Sequence, residues 1–144
     1  LLELDESGQD PAEWVRERLA RKERIMGFGH RVYKTFDPRA AILRDMLKEL
    51  SEERGDLRWY EMGHTILETM KAEKGLDPNV DFFSAAVYYM LGIDIDLYTP
   101  IFAMSRTAGW TAHAMEQWAN NRLIRPRAAY IGPEDLRVPP LAER

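Results

Sequence analysis

Cysteine is absent from the 144 residues. That excludes disulfides, thiolate metal sites and cysteine nucleophiles together, and it accords with a cytoplasmic setting. Histidine is scarce. His30, His64 and His113 are dispersed, with no carboxylates at ligand spacing, so no metal is expected. No apolar run approaches the roughly 18–20 residues that span a bilayer, so no membrane partner is expected. Basic charge is not in excess: 20 Lys and Arg against 24 Asp and Glu leave a net charge of −4, which argues against nucleic acid as a partner. There is no Gly-x-Ser-x-Gly elbow, so a serine hydrolase is not expected. The opening residues Leu1 to Glu6 are acidic and lack the basic-then-apolar layout of a signal peptide. They read as a helix end running into a loop with no starting Met, and we expect an amino-terminal truncation.

What is present reads as an all-α chain with a real core. Apolar residues make up 45% and charged residues 31%, and no alternating run bounded by turn residues marks a strand. Asp10-Pro11-Ala12-Glu13 is a helix start, with a cap, a proline at the first position and a closing acid. This helix is expected to end near Glu23. Asp37-Pro38 repeats the signal, and Ile42, Leu43, Met46, Leu47 and Leu50 are expected on one face of the helix that follows. A third helix carries Trp59, Gly63, Ile66, Leu67 and Met70 and stops near Lys74-Gly75. After the turn at Asp77-Pro78-Asn79, Asp81 opens a very apolar helix through Phe82, Phe83, Ala86, Val87, Met90 and Leu91. Thr99-Pro100 starts the last long helix, which ends near Asn120-Asn121. The tail beyond Arg125 contains Pro126, Pro133, Pro139 and Pro140 and is expected to be extended.

Three places could hold chemistry. The first is Gly27-Phe28-Gly29-His30, where two glycines permit a sharp turn or a close approach to a ligand. Residues 21–44 around it carry a net +5 within an acidic chain. Two readings fit: a tight turn with a solvated basic face, or a site for phosphates or carboxylates. The second place is Asn79-Val80-Asp81, where Asp81 is either a helix cap or a base in apolar surroundings. The third is the arginines. Arg106 stands among small and apolar residues, Arg125 precedes Pro126, and with Arg39 they would suit a di- or tricarboxylate through bidentate forks. His64 reads as a packing or surface residue and His113 as an interior or interface residue.

The stretch Gly27-Phe28-Gly29-His30-Arg31-Val32-Tyr33-Lys34-Thr35-Phe36-Asp37-Pro38-Arg39 resembles the citrate synthase signature. Asn79-Val80-Asp81 resembles the family's catalytic aspartate segment. Ser105-Arg106 with Gly109, and Arg125-Pro126, resemble its two later arginine motifs. Order and spacing agree from about residue 10 to the end, and the ending resembles a carboxy terminus of the short bacterial and archaeal type. The resemblance implies an all-α small domain over residues 1–95, with the last helix and tail of the large domain over 96–144. It implies condensation of acetyl-CoA with oxaloacetate and water to give citrate and CoA, with CoA as co-substrate and no permanent cofactor. Asp81 would remove a methyl proton, and His30 would serve the ketone oxygen. Arg39, Arg106 and Arg125 would hold carboxylates, Arg125 in the neighbouring subunit of a homodimer. Ile25, Met26, Gly27, Phe28 and Gly29 would take the CoA arm, with Arg31 and Lys34 at its phosphates.

The family's further catalytic histidine, in the upstream large domain, has no counterpart in these residues, so the chain alone is expected to be nearly inactive. Two alternatives remain. A 2-methylcitrate synthase using propionyl-CoA would share every motif. A non-catalytic helical module that binds an acidic metabolite would keep the basic loop but not need Asp81.

Overall fold

The computed structural model describes residues 1–33, 35–125, 127–135 and 139–143. Its elements are α1 (Leu2–Ser7), α2 (Pro11–Ala20), α3 (Pro38–Arg54), α4 (Arg58–Lys74), α5 (Val80–Met90) and α6 (Tyr98–Ala119), with 3₁₀ turns at Ile95–Leu97 and Leu141–Glu143. Among the described residues there is no strand, only an isolated antiparallel bridge between Phe28 and Pro78. No helix among them is long and apolar enough to cross a membrane.

Local chemistry sets the helix ends. Asp10 caps α2 by accepting from the N–H groups of Ala12 and Glu13, both at 3.0 Å, ahead of Pro11. α2 stops at Ala20, three residues short of the expected end. Lys22 adopts a left-handed conformation (φ 61°). The Glu23 N–H then reaches back to the Arg18 carbonyl and the Lys22 N–H to that of Leu19, the double bond that closes a helix. Gly55 and Gly75 end α3 and α4 in the same left-handed region.

The chain divides into two compact units, Leu1–Ser105 and Arg106–Arg144. In the first unit, Leu4, Val15, Leu47, Trp59, Ile66, Phe82 and Phe83 form the centre of one core. Gly63 lies in α4 where Phe83 presses closest, since a β-carbon there would stand 3.3 Å from the Phe83 ring. On α3 the buried stripe is Ala40, Leu47 and Ser51, with Leu43 and Leu50 partly buried, whereas Ile42 and Met46 are exposed. The expected apolar face was therefore too wide. Ile42 lies about 100° round the helix from Leu43 and leaves the stripe that α4 and α5 cover.

In the second unit, no residue of α6 is buried, and Trp110, Met115 and Trp118 are exposed. The chain from Asn121 to Ile131 forms no helix or strand at its described positions. The Tyr130 hydroxyl donates to the Pro133 carbonyl at 2.9 Å.

Candidate active site

The loop before α3 and the turn before α5 are tied to each other. The Asn79 N–H donates to the Gly27 carbonyl at 2.8 Å, and the Gly29 N–H donates to the Asp77 carbonyl at 3.0 Å. Between these bonds the Phe28 ring packs on Phe82, centroids 4.7 Å apart. Gly27 has φ 87°, and a β-carbon there would lie 2.8 Å from Cβ of Phe82. Both the conformation and the closeness require glycine.

Asn79, not Asp81, caps α5. Its side-chain oxygen accepts from the Asp81 N–H at 3.0 Å, and its amide nitrogen donates to the Gly29 carbonyl at 3.0 Å. Of the two readings of Asp81, the cap is therefore set aside. Its side chain is released from backbone duty, and the residue is exposed in the first turn. It lines a largely apolar cleft of about 510 Å³ together with Ile25, Met26, Gly27, Phe82 and Tyr89. Tyr98 lines the same cleft, and its hydroxyl is buried without a protein partner among the described residues. Burial pushes the Tyr98 phenol above its ordinary range.

His30 is held by the backbone of its own loop. Its Nδ1 accepts from the N–H groups of Val32 at 3.0 Å and Tyr33 at 3.1 Å. Nδ1 is thus the acceptor, and in the neutral ring the proton sits on Nε2. That nitrogen lies 3.4 Å from an Arg39 Nη2. Tyr33 flanks both groups, with its ring 4.7 Å from the imidazole and 5.9 Å from the Arg39 guanidinium.

Arg39 is itself fixed by Asp37. Its Nε and Nη2 donate to the two carboxylate oxygens at 3.0 and 2.8 Å. Asp37 also accepts from the N–H of Arg39 at 3.0 Å and from the N–H of Val80 at 3.2 Å. Its side chain is only 1% exposed. Its bonds to the Arg39 guanidinium hold the Asp37 carboxyl below the usual carboxylate range, against the opposing effect of burial. The same pairing raises Arg39, with a smaller contribution from the Asp81 charge.

A family model described as the citrate synthase C-terminal domain matches residues 1–127. The chain belongs to the citrate synthase family. It is 57% identical over its whole length to citrate synthase of Haloferax volcanii, of which it covers 38%. It is 44% identical, again over its whole length, to 2-methylcitrate synthase 1 of Corynebacterium glutamicum, covering 38% of that protein. Among solved structures it resembles citrate synthase of Thermoplasma acidophilum in ternary complex with carboxymethyl coenzyme A and oxaloacetate. That likeness has TM-score 0.76 and 42% identity, over 94% of this chain and 39% of the other. The chain thus spans under two fifths of the length of either curated relative.

Of the residues singled out by the citrate synthase resemblance, the first unit brings His30 and Arg39 together and puts Asp81 on the cleft wall with Ile25, Met26 and Gly27. Phe28 and Gly29 serve as the loop's anchor. Arg31 is exposed, and Lys34 lies outside the described residues. Arg106 and Arg125 fall in the second unit, both exposed. The Arg106 stem lies near Gly109, where a β-carbon would be 3.7 Å from the Arg106 Cδ. Part of the local positive charge is paired internally, Arg21 with Glu23 and Arg44 with Asp45. His113 is exposed rather than interior, paired with Glu116 at 2.9 Å. His64 is an exposed residue stacked on Tyr60.

Sequence reasoning missed two groups, the Asp37 carboxylate beyond its capping role and the Asn79 amide. An Asp two residues before an Arg at a helix start is a readable sign that the cap also reaches a guanidinium. Nothing local marks the bonds to Val80 and Gly29.

Proposed function

We propose that the intact protein carrying this chain condenses acetyl-CoA with oxaloacetate and water, giving citrate and CoA. The observation that carries the reading is the His30 ring. With Nδ1 occupied by two backbone N–H groups, a donor at Nε2 stands beside the Arg39 guanidinium. A hydrogen-bond donor next to a carboxylate-binding cation suits a 2-oxo acid, whose ketone oxygen and carboxylate are adjacent.

In this reading Asp81 takes a proton from the acetyl methyl group. The resulting carbanion equivalent forms a bond to the ketone carbon of oxaloacetate. The ketone oxygen, as it gains the electron pair, takes a proton from His30 Nε2. Solvent carries the proton from Asp81 back to His30, and water then cleaves the thioester, its hydroxyl going to the acyl carbon and its proton to the sulfur of the released CoA. A carboxylate is a weak base for such a proton, so positioning and hydrogen-bond donation must supply the rest. Ile25 to Gly29 line the approach for the CoA arm, with Arg31 and Lys34 for its phosphates. Arg106 and Arg125 complete the carboxylate sites, Arg125 across a homodimer. Residues 1–95 belong to the small domain and 96–144 to the end of the large domain, in a cytoplasmic enzyme. The complex of the Thermoplasma acidophilum relative with carboxymethyl coenzyme A and oxaloacetate supports the choice of substrates.

The test is release of CoA thiol by the intact protein and its Asp81→Ala variant. Turnover lost with Asp81 supports the reading. Turnover kept removes Asp81 as the base, and no turnover by the intact wild-type protein favours a site that only binds an acid. The likeness to a 2-methylcitrate synthase gives a second reading, propionyl-CoA as the acyl donor. Comparing kcat/KM for the two thioesters on the intact protein separates them.

A further inference from the structure

Asp37 does more than start a helix. Each of its oxygens accepts two hydrogen bonds: Oδ1 from the N–H and Nε of Arg39, Oδ2 from Arg39 Nη2 and the Val80 N–H. The side chain is almost fully buried, so these bonds replace its entire hydration. Val80 is the first residue of α5, and Asp81 follows it. One carboxylate therefore touches the amino-terminal ends of two helices and the guanidinium between them. It also decides which edge of Arg39 is available. The Nε–Nη2 edge is spent on Asp37, which leaves the terminal Nη1–Nη2 edge, on the nitrogen nearest His30, for a ligand.

We infer that Asp37 is a positioning residue that orients Arg39 for end-on binding of one oxaloacetate carboxylate beside His30 and ties that cation to the helix carrying Asp81. This rests on the reading above, in which Arg39 meets a substrate carboxylate. A carboxylate that only capped α3 would be replaceable by any capping side chain. A positioning carboxylate would not be.

The experiment uses the intact protein with Asp37→Ser, Arg39→Ala and the double variant. Serine keeps a cap for α3 but cannot bridge the guanidinium and Val80. Asp37→Ser should lower kcat/KM for oxaloacetate by about a hundredfold, the scale of a misplacement near 1 Å. The KM for acetyl-CoA should stay within about threefold, because Asn79 and Phe28 anchor that loop separately. In oxaloacetate KM the double variant should be no worse than Arg39→Ala, since Asp37 reaches that carboxylate through Arg39. An Asp37→Ser enzyme with unchanged oxaloacetate kinetics, or oxaloacetate KM losses that multiply in the double variant, would overturn the inference. If Arg39→Ala leaves the oxaloacetate KM unchanged, the site reading itself falls and this inference with it. Should Asp37→Ser not fold, Val80→Pro removes only the tie to α5 at a position where proline suits a helix. A severalfold fall in kcat with an unchanged oxaloacetate KM supports the tie, and an unchanged kcat overturns it.

Discussion

The Asn79 side-chain amide donates to the Gly29 carbonyl at 3.0 Å while its oxygen caps the helix carrying Asp81. One side chain thus registers the residue before His30 against the residue taken as the base. Asn79→Asp keeps the cap acceptor but sets a carboxylate oxygen against the Gly29 carbonyl. Stability should fall by about 1–3 kcal/mol from the unsatisfied carbonyl. kcat/KM of the intact protein should fall by about a hundredfold as the loop shifts. Denaturant melts alongside kinetics check this, and wild-type kinetics in the variant would refute the register.

His30 is the donor in the proposed reaction, so His30→Ala should reduce kcat by about 10²–10⁴-fold, the usual contribution of a positioned acid or base. Binding of CoA alone, read by calorimetry, should be little changed. A kcat within a factor of about two of wild type would remove His30 from the chemistry.

Gly27→Ala places a β-carbon 2.8 Å from Phe82 Cβ at a backbone with φ 87°. Strain and overpacking each cost about 1–3 kcal/mol. A loss of about 2–6 kcal/mol in urea unfolding is expected, with weaker CoA binding because the loop can no longer lie on Phe82. Gly29→Ala meets no atom within 4 Å, although its φ is 80°. Its loss should be about 1 kcal/mol, from strain alone.

Acid should reveal the Asp37 pairing. Its carboxyl lies below the ordinary 3.8 in the folded chain. The stabilisation it contributes is therefore complete above pH 3.8 and is lost as pH falls below that value towards the lower folded-state pKa. Wild type minus Asp37→Ser in melting temperature should be constant from pH 7 to about 5 and shrink below about 4. A difference that stays constant down to pH 2 would contradict the sign.

The chain alone, which spans under two fifths of the length of either curated relative, should show almost no condensation. Turnover by the purified 144-residue chain at rates typical of enzymes, about 1–10³ per second, would show that its own residues suffice.

The sequence by itself determined the helices, because their signals are short-range. Asp10-Pro11 and Asp37-Pro38 start helices through atoms two or three residues away, and Gly55 and Gly75 end them through their own backbone freedom. The Gly-Phe-Gly-His and Asp-Pro-Arg spacing also identified the family, since those residues rarely coincide in that order by chance. Only the tertiary structure decided which helix face is covered and which polar atom meets which. Ile42 and Met46 stay exposed because α4 and α5 cover a different side of α3. Asn79 rather than Asp81 takes the cap. Asp37 holds Val80 across 43 residues of chain, and Asn79 holds Gly29 across 50. No local pattern encodes those distances. They exist because burying Phe28 and Phe82 against each other brings the two segments together, and buried polar groups must then find partners.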